Sequence, residues 1–231
     1  MHNGAILLTA ASVAFIHTVF GPDHYIPFVA LAKARSWSKA RTASVTLLCG
    51  LGHVGSSVLI GLAGIAMGSA VAGLQWFEGL RGGAAGWLLL GFGLAYMLWG
   101  IKKALKGEKH SHAHSHGGPE HSHEHGHEPE HAHPHGERAS LTPWALFIIF
   151  ILGPCEPLIP LLVYAQLKGG MAPALAAAAV FSLVTLVTMT ASVFLLLGGI
   201  RLFPAERMAR YAHAMAGLAV FACGVAVKAG L

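Results

Sequence analysis

Two histidines and an aspartate stand close together in an apolar part of the chain. His17 is followed six and seven residues later by Asp23 and His24, and Asp23 is the only aspartate in the sequence. A charged side chain at the centre of a bilayer costs roughly 2.5–3.5 kcal/mol on insertion scales, so it usually marks an ion path, a proton relay or a buried pair. We therefore expect this stretch to have a function.

A similar stretch recurs in the second half of the chain. The sequences FGPDHYIPF, from Phe20, and LGPCEPLIP, from Leu152, each combine an apolar run, Gly-Pro, two ligand-type residues and a second proline. In this alignment Asp23 and His24 correspond to Cys155 and Glu156. Proline interrupts helical hydrogen bonding, which predicts helix breaks at Gly21, Pro22, Gly153 and Pro154.

The segments that follow these two stretches also align without gaps. The alignment pairs Val45 with Val180 and places His53 opposite Thr188. Cys49 and His53 are four residues apart and share one face of a helix, so Cys49 is a reserve ligand and Thr188 an accessory one. The remaining cysteine, Cys223, is interpreted as a small buried apolar residue.

The ligand types indicate a transition metal. Mg²⁺ and Ca²⁺ require oxygen ligands, whereas imidazole and thiolate suit nickel, cobalt, zinc and copper. Glu78 and Glu206 are assigned to helix ends, and no lysine or arginine is expected at the depth of the carboxylates, so a cation should supply the missing charge. Purely structural pairing is the alternative. The predicted metal site consists of His17, Asp23, His24, His53, Cys155 and Glu156.

The elements that position these residues are predicted to be membrane helices. The chain is 55% hydrophobic and 11% charged, against about 25% charged in soluble domains. Apolar runs long enough to cross a bilayer recur, and the first one lacks the flanks of a signal peptide. Within lipid only helices satisfy their own backbone groups in such runs. Six segments are predicted, at 4–32, 43–73, 84–101, 143–166, 171–200 and 208–228.

These segments form two repeats of three crossings. An odd number of crossings means that the second repeat is inverted, an arrangement typical of secondary transporters with broken helices and a midplane site. The predicted fold is therefore an all-α polytopic membrane protein with helices one and four broken. Its divisions are a first repeat at 1–101, a loop at 102–141 and a second repeat at 142–231.

Basic residues set the expected orientation. The loops after segments one, three and five hold twelve lysines and arginines, whereas the opposite side holds three, among them Arg81. The positive-inside rule places both termini outside and the 102–141 loop in the cytoplasm, as in a multi-pass protein of the cell (inner) membrane. The charge of +5 lies at helix ends and does not suggest a nucleic-acid partner.

The long loop is rich in histidine and lacks apolar periodicity. We expect it to be disordered without a ligand, and its alternating histidines are a compositional signal for metal binding. A solvated linker or pH-sensitive segment is the alternative interpretation. The predicted metal-buffering residues are His110, His112, His114, His116, His121, His123, His125, His127, His131, His133 and His135.

These motifs resemble those of the nickel/cobalt transporter families, including their His-rich efflux branch and the urease-accessory membrane proteins. Those families have a His-x4-Asp-His motif and then a Leu-Gly-His-Ser/Thr motif. Here the first reads His17-x5-Asp23-His24, one residue longer, and the second begins at Leu51-Gly52-His53. The resemblance implies a metal role for His17, Asp23, His24 and His53.

The stretch GPCEPLIP also resembles the second Pro-Cys motif of the membrane domain of cytochrome c biogenesis thiol-disulfide carriers. That domain has six helices in inverted repeats, with a cysteine in helices one and four. Here Asp23 stands in the place of the first cysteine. A single cysteine cannot cycle as a dithiol unless Cys49 pairs with Cys155.

The sequence thus predicts a proton-coupled secondary transporter of nickel or cobalt, with zinc next in order, and not an enzyme. The metal is the substrate and no organic cofactor is expected. The cytosolic His-rich loop favours efflux, whereas oligomeric state is left open. One alternative is a thiol-disulfide electron carrier. The other is a sulfur-oxyanion exporter, and the absence of a deep basic residue argues against this second alternative. No G-x-x-x-x-G-K-[ST] motif signals ATP use.

Overall fold

The computed structural model of the protein describes residues 2–68, 71–106, 141–200 and 210–230, and throughout these ranges it contains helices and no strand. The α-helices are α1 (His2–Phe20), α2 (Ile26–Ala34), α3 (Lys39–Ala66), α4 (Val71–Lys106), α5 (Leu141–Leu152), α6 (Leu158–Gly169), α7 (Met171–Ile200) and α8 (Ala212–Ala229). The all-α prediction is therefore confirmed.

Several helices are long and apolar enough to cross a membrane. Among the described residues there are four such spans, at Lys39–Ala66, Ala72–Leu105, Met171–Gly199 and Ala212–Ala229. The bent pair Gly4–Phe20 and Pro22–Ala34 makes five if it counts as one span. Helices α5 and α6 are each only 12 residues long.

The first helix break lies at the predicted Gly-Pro pair. Helix α1 ends at Phe20 because Pro22 has no backbone N–H and disfavours a helical residue before it. Gly21 is extended, with φ −90° and ψ 91°, and Pro22–His24 form a single 3₁₀ turn. The chain bends by 82° here before α2 begins.

The second break lies between α5 and α6 and also follows the prediction. Helix α5 ends at Leu152, directly before Gly153-Pro154, and α6 resumes at Leu158. Pro157 takes the N-cap position of α6, where a missing N–H removes no helical hydrogen bond. The breaks thus place Asp23 and His24 on one non-α-helical segment and Cys155 and Glu156 on another.

Helix α4 begins much earlier than the sequence predicted. It runs from Val71 and not from residue 84, so the Gly-rich stretch between the second and third predicted segments is helical. Glu78 and Arg81 therefore lie inside α4, one turn apart, and form an ion pair. Opposite charges at i and i+3 favour a helix, but the neighbouring glycines have poor helix propensity, so the packing of α4 against other helices must stabilise this part of it.

Helices α4 and α8 pack antiparallel with their backbones in close contact. Gly93 of α4 lies against the backbone of Phe221, and Gly100 lies against the backbone of Ala214. From the other side, Gly217 of α8 lies against the backbone of Met97. A methyl group at any of these glycines would overlap the facing backbone, so small residues set this interface, as they do in many membrane helix pairs.

The apolar core forms two clusters. The first joins α2, α4, α5 and α8 with one part of α3 and α7, and it includes Phe28 and Cys49. The second joins α1 and α6 with the remaining parts of α3 and α7, and it includes Cys155 and Phe181. His53 follows Cys49 by one turn of α3 and precedes Val54 of the second cluster, so it lies where the two clusters meet.

Candidate metal centre

Three predicted ligands from three different helical segments converge. His17 comes from α1, His53 from α3 and Cys155 from the second break, and one ligand atom of each lies within 4.8 Å of the others. Metal–nitrogen bonds of about 2.0–2.1 Å and metal–sulfur bonds of about 2.3 Å place tetrahedral ligand atoms roughly 3.5 Å apart. Small side-chain rotations would therefore bring the three atoms around one ion.

His24, from the first break, packs against this group. Its ring centroid lies 4.7 Å from that of His17 and 5.0 Å from that of His53, in edge-to-face contacts. The side chains of His24 and His53 are each only 3% exposed. The three imidazoles and the Cys155 thiol thus form one buried cluster between the two core clusters.

The histidines of this cluster keep free ligand atoms. His17 Nε2, His24 Nε2 and both ring nitrogens of His53 are buried without a hydrogen-bond partner. Buried polar groups are normally paired, so each exception requires an explanation. Neutral imidazole nitrogen is the commonest metal ligand in proteins, and an ion at the centre of the cluster would satisfy one nitrogen of each ring.

The local chain fixes the tautomer of His24. Its Nδ1 lies 3.0 Å from the carbonyl oxygen of Gly21, which can only accept, so Nδ1–H donates, and in the neutral ring Nε2 then carries the lone pair. Asp23 Oδ1 lies 3.3 Å from the same Nδ1. This is the carboxylate–histidine arrangement that orients metal-binding imidazoles in many proteins, which suits Asp23 to orient His24.

Both break glycines lie against site histidines. A methyl group at Gly21 would overlap the ring of His24, and one at Gly153 would come within 3.1 Å of His53 Nδ1. The Gly-Pro pairs therefore do more than end the helices. They let the backbone approach the imidazoles closely, which side chains at these positions would prevent.

The structure places three other predicted residues outside this cluster. Glu156 is exposed and lines a cavity of about 180 Å³ with Gln75 and Glu78. Cys49 is buried in the first core cluster, one turn of α3 from His53. Thr188 is half-buried on α7. Both predicted breaks are present, but the residue that turns inward is the second of Asp23-His24 in the first break and the first of Cys155-Glu156 in the second.

A buried ion pair that the sequence interpretation missed lies beside the second break. Glu78 is 1% exposed and Arg81 is 8% exposed. The expectation that no basic residue lies deep in the bundle is therefore wrong, as is the assignment of Glu78 to a helix end. The Glu-x-x-Arg spacing on one helical face was the available signal, but the surrounding glycines resembled a loop.

Cys223 also lies beside a break. Its Sγ is 4.0 Å from the carbonyl oxygen of Pro22, so α8 touches the first break as α4 touches the second. The predicted histidine buffer of the 102–141 loop and Glu206 lie outside the described residues. No family model, curated protein or solved structure matches this chain.

Proposed function

We propose that this chain is a membrane transporter of a divalent transition metal, and that the cluster of His17, His24, His53 and Cys155 binds the ion near the middle of the bilayer. The observation that carries the proposal is the set of buried imidazole nitrogens without partners, next to a buried thiol. Nitrogen and sulfur ligands suit nickel, cobalt and zinc and do not suit magnesium or calcium.

The charges around the cluster support a divalent ion. Imidazole ligands are neutral, Asp23 carries one negative charge, and Cys155 supplies a second when it binds metal as a thiolate. The Glu78–Arg81 pair adds no net charge, and Glu156 is exposed. Two negative charges balance one M²⁺ ion, so the loaded site would be neutral in the bilayer.

The helix contacts support the inverted repeat that belongs to this proposal. Exchanging α1 with α5, α2 with α6, α3 with α7 and α4 with α8 relates several of the helix contacts to one another. The contact of α1 with α7 becomes that of α5 with α3, and the contact of α2 with α8 becomes that of α6 with α4. On this proposal α5 and α6 together form one broken span, which gives six crossings.

For the orientation of the chain in the membrane, the coupling ion and the identity of the metal, the proposal follows the sequence predictions. Both termini face outward and the His-rich loop is cytoplasmic, where it concentrates or senses metal and favours efflux. Metal ligands must be deprotonated, so loading of the site displaces protons and couples the two ions. Nickel and cobalt come first through the resemblance of the histidine motifs, and zinc comes next.

Two alternatives are less well supported. A thiol-disulfide carrier needs a cysteine partner for Cys155, and Cys49 packs in the other core cluster. A sulfur-oxyanion exporter needs an available positive charge. Arg81 is deep enough, but its guanidinium is already paired with Glu78. The histidine cluster has no role in either alternative.

Metal uptake into proteoliposomes of known orientation tests the proposal. The panel would be nickel, cobalt, zinc, copper and manganese, with wild-type protein, His53→Ala and empty vesicles in parallel. Uptake that depends on His53 is expected for one or more metals of the first three. Equal uptake by wild-type and His53→Ala vesicles would refute the proposed site.

A further inference from the structure

The second helix break is tied to α4 through its backbone. The carbonyl oxygen of Ile151, in the last turn of α5, accepts from Arg81 Nη2 at 2.5 Å. The backbone N–H of Cys155 is shared between Ser57 Oγ at 3.1 Å and Glu78 Oε2 at 3.2 Å. Arg81 and Glu78 therefore satisfy backbone groups on both sides of Gly153-Pro154.

The network is closed by two serines of α3. Ser57 Oγ donates to Glu78 Oε2 at 3.0 Å, and Arg81 Nη2 donates to Ser56 Oγ at 2.6 Å. Ser56 Oγ in turn lies 3.0 Å from the carbonyl oxygen of Ile151. Helices α3 and α4 and the break thus share one hydrogen-bonded unit, in which the carboxylate and the guanidinium are both neutralised.

The two breaks differ in how their metal-facing residue is oriented. His24 is held by groups of its own segment, the Gly21 carbonyl and the Asp23 carboxylate. The second break offers no such group to Cys155, because Glu156 is exposed. Among the described residues, Ser57 and Glu78 are the only polar side chains that hydrogen-bond to the Cys155 backbone.

We infer that Glu78, Arg81 and Ser57 are positioning residues for Cys155: they fix the second break so that the Cys155 sulfur reaches His17 and His53. A buried ion pair is a poor source of stability, since desolvation offsets most of its attraction. Its role here is to orient Cys155. The N–H of Cys155 has two acceptors, which fix the backbone at this residue and hence the direction of the Cα–Cβ bond that carries the sulfur. The inference rests on the proposed function, because it concerns a ligand of the proposed site.

Thiol labelling without metal tests the positioning directly. In full-length protein with Cys49→Ala and Cys223→Ala, Cys155 is the only thiol, and N-ethylmaleimide reports how well it is held in the buried cluster. We expect Glu78→Gln and Ser57→Ala to raise its labelling rate about tenfold. Glu156→Gln is the matched control. It also removes a carboxylate, but the side chain of Glu156 is exposed, so the labelling rate of Cys155 should not change.

Cobalt titration tests the consequence for binding. Co²⁺ bound to a thiolate gives a charge-transfer absorption that cobalt bound to imidazole alone does not give. Ser57→Ala and Arg81→Lys, which keeps the charge but loses the fork of donors, should weaken Co²⁺ binding about tenfold and reduce this absorption. Glu156→Gln should match the wild type in both.

The outcomes separate this inference from the proposed function. Equal labelling rates in wild-type, Ser57→Ala and Glu78→Gln protein would overturn the positioning role, whatever the cobalt result. Faster labelling in the variants, with no Co²⁺ binding by wild-type protein, would support the positioning role and refute the metal site. If Glu78→Gln does not fold, the uncharged Ser57→Ala change decides the question.

Discussion

The imidazole of His24 meets that of His53 edge to face, with 5.0 Å between the ring centroids. One ring comes from a 3₁₀ turn and the other from the middle of a 28-residue helix. Two neutral imidazoles in such contact can each offer a nitrogen lone pair to the same ion. The contact therefore joins the first break to α3 through atoms that can share one ion.

Loss of one of these rings should abolish tight metal binding. His53→Ala removes a ligand from the centre of the cluster, and we expect Ni²⁺ or Co²⁺ affinity to fall by more than the 10- to 100-fold typical of changes behind the ligands. Isothermal titration of purified protein measures this. His213→Ala is the control, because His213 contacts Tyr96 and Trp99 and no residue of the cluster. Equal losses in both variants would mean that His53 has no special role.

Asp23 should act through His24. Asp23→Asn keeps the size of the side chain and removes the charge that orients the ring, so metal affinity should fall about 10- to 100-fold. Glu156→Gln, the corresponding change in the second break, should leave affinity unchanged because Glu156 is exposed. The same titration compares the two. A larger effect of Glu156→Gln would reverse our assignment of the carboxylates.

Metal binding should release a proton from Cys155. Only the thiolate binds metal, and the thiol must lose its proton to do so. Titrations at pH 7 in buffers of different ionisation enthalpy count the protons, and Cys155→Ser should release about one fewer than the wild type. Cys49→Ser serves as the control for a buried cysteine outside the cluster. Identical counts in wild-type and Cys155→Ser protein would exclude thiolate ligation.

The glycine contacts between α4 and α8 should be sensitive to a single methyl group. Gly93→Ala would overlap the backbone of Phe221, and overpacking of this kind typically costs about 1–3 kcal/mol of unfolding free energy. Gly91→Ala, two residues away, meets no atom within 4 Å and should be neutral or slightly stabilising through helix propensity. Thermal unfolding in detergent compares the two variants. Equal melting temperatures would contradict the close backbone packing.

The His-rich loop should tune transport and not perform it. Deletion of residues 110–135 removes eleven histidines from a segment without apolar periodicity. We expect the maximal transport rate to be kept and the metal concentration for half-maximal rate to shift. Flux assays over a range of metal concentrations in proteoliposomes measure both quantities. Complete loss of flux in a correctly inserted deletion variant would make the loop part of the path.

The sequence predicts much of the helical frame because proline and long apolar runs are local signals. The breaks at Gly21-Pro22 and Gly153-Pro154 lie where proline chemistry requires them, and the histidines were recognisable as unusual in apolar runs. What turns inward within each break depends on the exact turn geometry. The 3₁₀ turn buries His24 and leaves Asp23 30% exposed, whereas the second break buries Cys155 and exposes Glu156.

The missed ion pair has a different cause. Glu78 and Arg81 each look like a surface residue when the chain is read in order, and glycines surround them. Their burial follows from tertiary partners, since the acceptor for Arg81 is the Ile151 carbonyl and the donor to Glu78 is the Cys155 N–H. No local pattern predicts that a helix break 70 residues away will need these groups.

The glycine-lined contact of α4 with α8 has a mechanical consequence. The backbones of these two helices touch at Gly93, Gly100 and Gly217, so a movement of one helix presses directly on the backbone of the other. Helix α4 contacts the second break through Arg81, and helix α8 contacts the first break through Cys223. Both breaks therefore contact the same helix pair, so a movement of that pair would shift His24 and Cys155 together.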